Sequence, residues 1–191
     1  MLTSTSSVHR HPFAELQAQT RRHQSVHGCG AYTFEDGGAL YQIASELRPI
    51  RIIELGTALG YTACTLASGS PKATVDTIEA DDEHVQTARA EIARVGLAER
   101  IQVHAGLFEN VLPKLASGYD LAFFDGFAPS LEIILLLRDR LAIGGILICS
   151  NLQLAHREES KRLSLALSDR AHWEPTGSLE FGRTRVMRKM G

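Results

Sequence analysis

The sequence predicts an α/β protein, a doubly wound and mostly parallel sheet with helices on both faces. Three observations predict it. From residue 51 onward, short apolar runs alternate with helix-like segments, the pattern of repeated right-handed crossovers. The runs are apolar almost throughout, as strands covered on both faces must be. The tail breaks the alternation: its last two strand-like runs are joined by SLEFG, too short for a crossover helix, so that pair should be antiparallel.

Taken in order, helical patterns cover residues 13–24 and 35–48, separated by the Gly-rich HGCGAYTFEDGG. The first strand is Arg51–Leu55, followed by a glycine loop and a helix over Tyr61–Ala67. Thr74–Glu79 is the second strand. The helix Asp82–Val95 is the best defined: Asp81 or Asp82 caps it, acidic residues fill its first turn, and Val85, Ala88, Ile92 and Val95 form one apolar face. Ile101–His104, Asp120–Phe124 and Ile146–Ser150 are the next strands, with helices over Phe108–Leu115 and Leu131–Leu141 between them. A helix over Glu158–Ser168 leads to the final strands near Ala171–Glu174 and Arg183–Arg188.

The 191 residues suit one domain, with 1–48 as a helical lid or dimerisation segment and 49–191 as the sheet core. A composition of 44% hydrophobic and 22% charged residues excludes disordered and fibrous classes. The formal net charge of −2 offers no overall attraction to nucleic acid or anionic lipid. Arg10, Arg21 and Arg22 are too scattered to form a nucleic-acid face. The apolar stretch LEIILLLRDRLAIGGILI is interrupted by charges and a Gly-Gly pair, so it cannot span a bilayer as one helix. MLTSTSSVHRHPF has no apolar core of a signal peptide. Cys29, Cys64 and Cys149 show neither a disulfide framework nor zinc spacing, and Cys64 and Cys149 read as buried small hydrophobes. The expectation is a soluble protein of the reducing cytoplasm.

The stretch RIIELGTALGYT carries the functional signal. A glycine loop after the first strand of such a sheet lies where ligands dock, beyond the strand ends. Glu79 closes the second strand, at the position of an acidic partner for ribose hydroxyls. A dinucleotide would set its pyrophosphate against the loop, close to the carboxylate of Glu54. S-adenosylmethionine avoids that repulsion: it has an adenosine for Glu79, no phosphate, and an ammonium and a sulfonium that a carboxylate favours.

ELGTALGYT, IEADDEHVQTAR, VGLAERIQVHAG, YDLAFFDG and GGILICSN follow one another as in the class I methyltransferases. The chain most resembles the bacterial O-methyltransferases related to catechol and caffeoyl-CoA O-methyltransferases, from about Phe34 onward. The resemblance implies a seven-stranded Rossmann-like sheet with the last strand antiparallel, and S-adenosylmethionine as cofactor. Carried over by position, Glu54, Gly56, Gly60 and Tyr61, with Thr57 and Thr62 of the same stretch, surround the methionine moiety. Glu79 takes the ribose hydroxyls, Ala80 lies beside the adenine, Gly106 follows the third strand, and Asp125 faces the methyl donor.

Two positions depart from that pattern. Metal-dependent members hold a divalent ion with an Asp after strand four and an Asp-Asn pair after strand five. Here Asp125 and Asn151 are present, but Ser150 replaces a carboxylate that magnesium would want. The expectation is catalysis without the metal, with magnesium as the alternative. The family's lysine after the strand-four Asp is Ala128 here, and Lys114 or Lys161 could replace it only in space. Asp125 and His156 are the candidates to remove or orient the acceptor proton, His156 being otherwise a solvated residue at a helix start. His104 is read as lining the cofactor edge, His9, His11, His23 and His27 as surface residues, and Trp173 as core or dimer packing.

The sequence therefore predicts an S-adenosylmethionine-dependent methyltransferase acting on the oxygen of a small-molecule acceptor, in a chain that can pair as a homodimer. A cofactor-binding module without catalysis and an RNA-modifying methyltransferase are the alternatives. An NAD-linked oxidoreductase is disfavoured by Glu54.

Overall fold

The computed structural model describes residues 12–28 and 33–191. His9, Arg10, His11 and Cys29 lie outside them, as does part of the proposed lid joint. Two helices precede the sheet, α1 (Ala14–His27) and α2 (Gly37–Leu47). The alternating unit then runs β1 (Arg51–Leu55), α3 (Tyr61–Gly69), β2 (Thr74–Glu79), α4 (Asp82–Arg94), β3 (Ile101–Ala105), α5 (Phe108–Val111) and β4 (Tyr119–Phe124). It continues through α6 (Leu131–Arg140), β5 (Leu141–Cys149), α7 (Arg157–Ser168), β6 (Trp173–Leu179) and β7 (Thr184–Lys189). The seven strands order as β3-β2-β1-β4-β5-β7-β6, with β7 antiparallel to both of its neighbours. The expected sheet, its order and its antiparallel end are all present.

Successive residues of a strand point to opposite faces, which divides the core in two. Ile52, Val75, Phe123 and Ile148 pack with Leu66 and Ile92 on the α3–α4 side. Ile53, Ile78, Phe124 and Leu147 pack with Ile134, Leu163 and Trp173 on the α6–α7 side. Trp173 is thus core, and Cys64 and Cys149 are buried thiols within these layers. Side-chain caps fix three helix starts: Asp36 accepts from the Ala39 N–H, Asp81 from His84 and Ser130 from Ile133.

Three elements differ from expectation for physical reasons. The predicted helix at Phe108 gives way after Val111 to a 3-10 turn, Leu112–Lys114, because Pro113 lacks the N–H a continuing helix needs. β5 begins at Leu141, not Ile146. Its register jumps from Tyr119–Leu141 to Leu121–Ile146, so Ala142, Ile143, Gly144 and Gly145 form a bulge, with Gly144 at φ 81°. β6 is longer than predicted and carries Pro175, which an edge strand tolerates. The apolar stretch of residues 131–148 is divided between α6 and β5. No helix among the described residues is long and apolar enough to cross a membrane.

α2 lies hard against the end of α3. A Cβ on Gly69 would stand 2.6 Å from the Tyr41 carbonyl oxygen and 2.7 Å from the Ala44 Cβ. Gly69→Ala is expected to cost about 1–3 kcal/mol, read as a lower urea midpoint at unchanged slope.

Candidate active site

The sheet reverses its direction of winding between β1 and β4, and there the loops beyond the strand ends part to leave a crevice. A cavity of about 540 Å³ occupies it, within the range of small-molecule sites. Its wall takes Gly56, Thr57, Ala58, Tyr61 and Thr62 from the β1–α3 connection, Glu79, Ala80 and Asp81 from the end of β2, and Asp125, Gly126 and Phe127 from the end of β4. Asn151 and Leu154 close one side, and Thr20, Thr33 and Phe34 cover it from the N-terminal segment.

The glycine loop is held by close approach. Gly56 has φ 97°, and a Cβ there would stand 2.9 Å from the Gly126 nitrogen and 3.0 Å from the Asp125 carbonyl oxygen. Glu79 fixes the loop from the other side. Its Oε2 accepts from the backbone N–H groups of Thr57 (3.2 Å) and Ala58 (2.9 Å), and its Oε1 from those of Ala80 (2.9 Å) and Asp81 (3.1 Å). These four bonds use the carboxylate's acceptor sites in full, so a ligand hydroxyl would have to share an oxygen with, or displace, one of the loop N–H groups.

Glu54 is not in the cavity wall. It is fully buried beneath the loop, and a hydroxyl chain connects it to the surface of the site. Thr57 Oγ1 lies 2.6 Å from Thr77 Oγ1, which donates to Glu54 Oε2 at 2.6 Å. Oε1 is buried without a hydrogen-bond partner among the described residues. Burial pushes the Glu54 carboxyl up to about 7, the Thr62 and Thr77 hydroxyls pull it down, and the Glu79 charge adds to the rise.

Asp125 ends β4 at the cavity floor. Burial, then the charges of Glu54 and Glu180, raise its carboxyl well above the usual range. Asn151, in the left-handed conformation after β5, donates its amide to the Gly126 carbonyl at 3.0 Å and to Asp125 Oδ1 at 3.4 Å. Ser150 turns to a different network. Its hydroxyl donates to Glu180 Oε2 (3.4 Å) and accepts from Thr184 Oγ1 (3.1 Å). Sequence reasoning missed Glu180, because it arrives from the β6–β7 turn, read only as a short link. With Ser150 engaged, Asp125 supplies the one carboxylate of the three residues, and Asn151 Oδ1, buried without a hydrogen-bond partner among the described residues, is a second hard oxygen beside it.

Of the remaining predicted residues, Gly60 caps α3 at φ 86° beside Ile92, and Gly106 ends β3 against Val111, both behind the cavity. His156 is an exposed residue at the start of α7, outside the cavity wall, and so is placed as the solvated alternative had it. His104 is bound to Asp76 at 2.7 Å and does not reach the cavity. Lys114 is exposed, and Lys161 pairs with Glu158 at the surface. Thr20 and Phe34 line the site from the segment read as a lid or dimerisation element, whereas His84 and Phe108 were not expected, since only the folded arrangement brings them to the loop.

A family described as methyltransferase domain matches residues 53–152. The chain belongs to this family. The match begins at β1 and ends just past Asn151, so it holds the glycine loop, Glu79 and Asp125 of this methyltransferase domain. A catechol O-methyltransferase of Mycobacterium tuberculosis is 35% identical over 97 residues, half of this chain and 44% of that protein. One of Danio rerio is 32% identical over 92 residues, 48% of this chain and 35% of that protein. The alignments thus span under half the length of these relatives. Among solved structures, the O-methyltransferase TomG of Streptomyces achromogenes, in complex with SAM, superposes with a TM-score of 0.81 at 20% identity, covering 95% of this chain and 92% of that one. An O-methyltransferase of Bacillus cereus, in complex with SAH, gives 0.78 at 19% identity over 94% and 92%. At such identities the likeness is one of fold, and the methyltransferase domain shares it over nearly its whole length.

Proposed function

We propose that this methyltransferase domain binds S-adenosylmethionine and directs its methyl group to an oxygen of a small-molecule acceptor. One observation carries the reading: Glu79 presents an oriented carboxylate at the cavity edge, while Glu54 places a second carboxyl, with an unpartnered oxygen, beneath the loop. That pair suits an adenosine linked to cationic groups and opposes a pyrophosphate. The relatives named as catechol O-methyltransferases support oxygen as the accepting atom.

Glu79 would take the ribose hydroxyls, with Ala80 and Phe108 flanking the adenine, and Gly56, Thr57, Tyr61 and Thr62 would hold the methionine end. The bound cofactor supplies an activated methyl group on sulfonium. The protein's part is to align an acceptor oxygen with that methyl, which alone removes much of the barrier. Asp125, held by the Asn151 amide, takes the acceptor's proton on its carboxylate, its raised affinity for protons suiting it to a weakly acidic hydroxyl. No magnesium ion enters this account. The buried free thiols Cys64 and Cys149 support action in a reducing compartment. A homodimer through the N-terminal helices is tested by sedimentation.

The test is calorimetric titration with S-adenosylmethionine, S-adenosylhomocysteine and NAD. Both adenosyl compounds are expected to bind and NAD not to. Glu79→Ala should weaken the adenosyl compounds by about 10- to 100-fold, the value of one or two hydrogen bonds to a charged group. Binding of NAD in preference would overturn the reading.

A further inference from the structure

The HQSVH stretch of α1 sets His23 and His27 four residues apart, on one helical face. Read as surface residues from the sequence, they meet His84, two residues into α4. His23 Nε2 lies 3.0 Å from His84 Nε2, and the three rings sit with centroids 4.8, 5.0 and 5.3 Å apart. One ligand nitrogen from each lies within 4.8 Å of the other two. Two nitrogens on a tetrahedral zinc ion stand about 3.3 Å apart, so small side-chain rotations close this triangle around an ion.

We propose that His23, His27 and His84 form a site for a divalent transition-metal ion of the zinc class, clasping α1 to α4 beside the cavity mouth. Imidazole donors select such an ion over magnesium or calcium, which want oxygen. Glu83 Oε2, 3.2 Å from His27 Nε2, is the nearest oxygen for a fourth position. His84 is buried, and its second nitrogen lies 3.9 Å from Glu79 Oε2, beyond hydrogen-bond distance but near enough for charge to act.

The clasp has a structural purpose. α1 buries only Leu16, Gln17 and Thr20, yet Thr20 lines the cavity. Its first half is tied by the Gln17 amide to the Phe34 carbonyl at 2.9 Å. Its second half is held by the Arg21–Glu35 pair, which is half exposed, and by the histidines. An ion on His23, His27 and His84 would fasten that end to the element that follows Glu79. The cluster shares His84 with the cavity wall, but no adenosyl group is among its ligands, so ion binding is read separately from cofactor binding.

The test titrates zinc into the full chain, freed of any histidine tag and treated with chelator, with cobalt as a coloured substitute. One ion per chain is expected, with a visible cobalt band of tetrahedral intensity and slowed amide exchange over residues 14–27. His27→Gln and His23→Gln, on the accessible side of the cluster, should each weaken zinc by about 10-fold or more and abolish the exchange effect. The absence of stoichiometric binding would overturn the proposal, as would binding that survives both substitutions or leaves α1 exchange unchanged. Each of those results would reduce the cluster to hydrogen-bonded imidazoles, while adenosyl-compound titration reports on the cofactor separately.

Discussion

Asp125→Asn is expected to lower methyl transfer by about 100- to 10,000-fold while leaving S-adenosylmethionine affinity within a few-fold. The substitution keeps the shape of the side chain and removes its capacity to take a proton. It also sets an amide against the Asn151 Nδ2, which now donates to Asp125. The check is transfer of a labelled methyl group to a panel of catechols and simple phenols, beside cofactor calorimetry on the same preparation. Loss of turnover with retained cofactor binding places the proton at Asp125. Equal turnover would remove Asp125 from the chemistry and leave alignment as the protein's whole contribution. Because burial and the charges of Glu54 and Glu180 raise this carboxyl, turnover should climb with pH as it ionises.

The second large effect belongs to Glu54. Its carboxyl stands at about 7 in the folded chain against an ordinary 4.5. A carboxyl raised by folding favours the protonated native state, so its contribution is present below the ordinary value and lost as pH rises through 7. Between pH 4.5 and 8 the protein without ligand should lose about 3 kcal/mol from this group. Asp76 and Asp81, both lowered, act only at more acid pH. Asp125, also raised, adds a fall of the same sign and His23, lowered, opposes it, so the share of Glu54 is read as the difference between parent and Glu54→Gln. Urea unfolding across the pH range should show a steeper fall in the parent than in Glu54→Gln, and equal slopes would remove Glu54 from the dependence. The same linkage governs the ligand. A cationic group near the loop favours ionised Glu54, so S-adenosylmethionine should bind more tightly as pH rises toward 7, by up to about tenfold per unit. Glu54→Gln should flatten that dependence, and an unchanged profile would detach Glu54 from the cofactor.

The sheet was readable because its signals are local. Ile52 and Ile53, or Phe123 and Phe124, are apolar neighbours in strands buried on both faces, and SLEFG is too short to cross over. β5 was misplaced because Gly144-Gly145 looks like a turn, and only pairing with β4 shows it to be a bulge within a strand. At the site, Glu79 and Asp125 were found from their places at strand ends. Glu180 and His84 were not, since one depends on the closing of β6 on β7 and the other on where α1 rests. Glu54 was expected beside the loop and lies beneath it, outside the cavity wall: a buried strand residue is joined to the loop through Thr77 and Thr57, and no spacing rule reveals that. The HxxxH interval of His23 and His27 stood in the sequence and was overlooked when these residues were read as surface; α4 supplies the third ring.

The contact of Gly56 with Gly126 and the Asp125 carbonyl also bears on how such a chain could change its preferences over generations. Any side chain introduced at Gly56 collides with the backbone that carries Asp125. A Cβ at Gly126 would come within 2.6 Å of the Phe108 ring. The glycine loop and the end of β4 are therefore locked into a single inherited unit. Freedom to diverge lies at the rim, where Phe127, 70% exposed, and Leu154, 38% exposed, border the opening without bracing either loop. A mutational library meant to redirect this chain to new acceptors belongs at those two positions, with the glycines left alone.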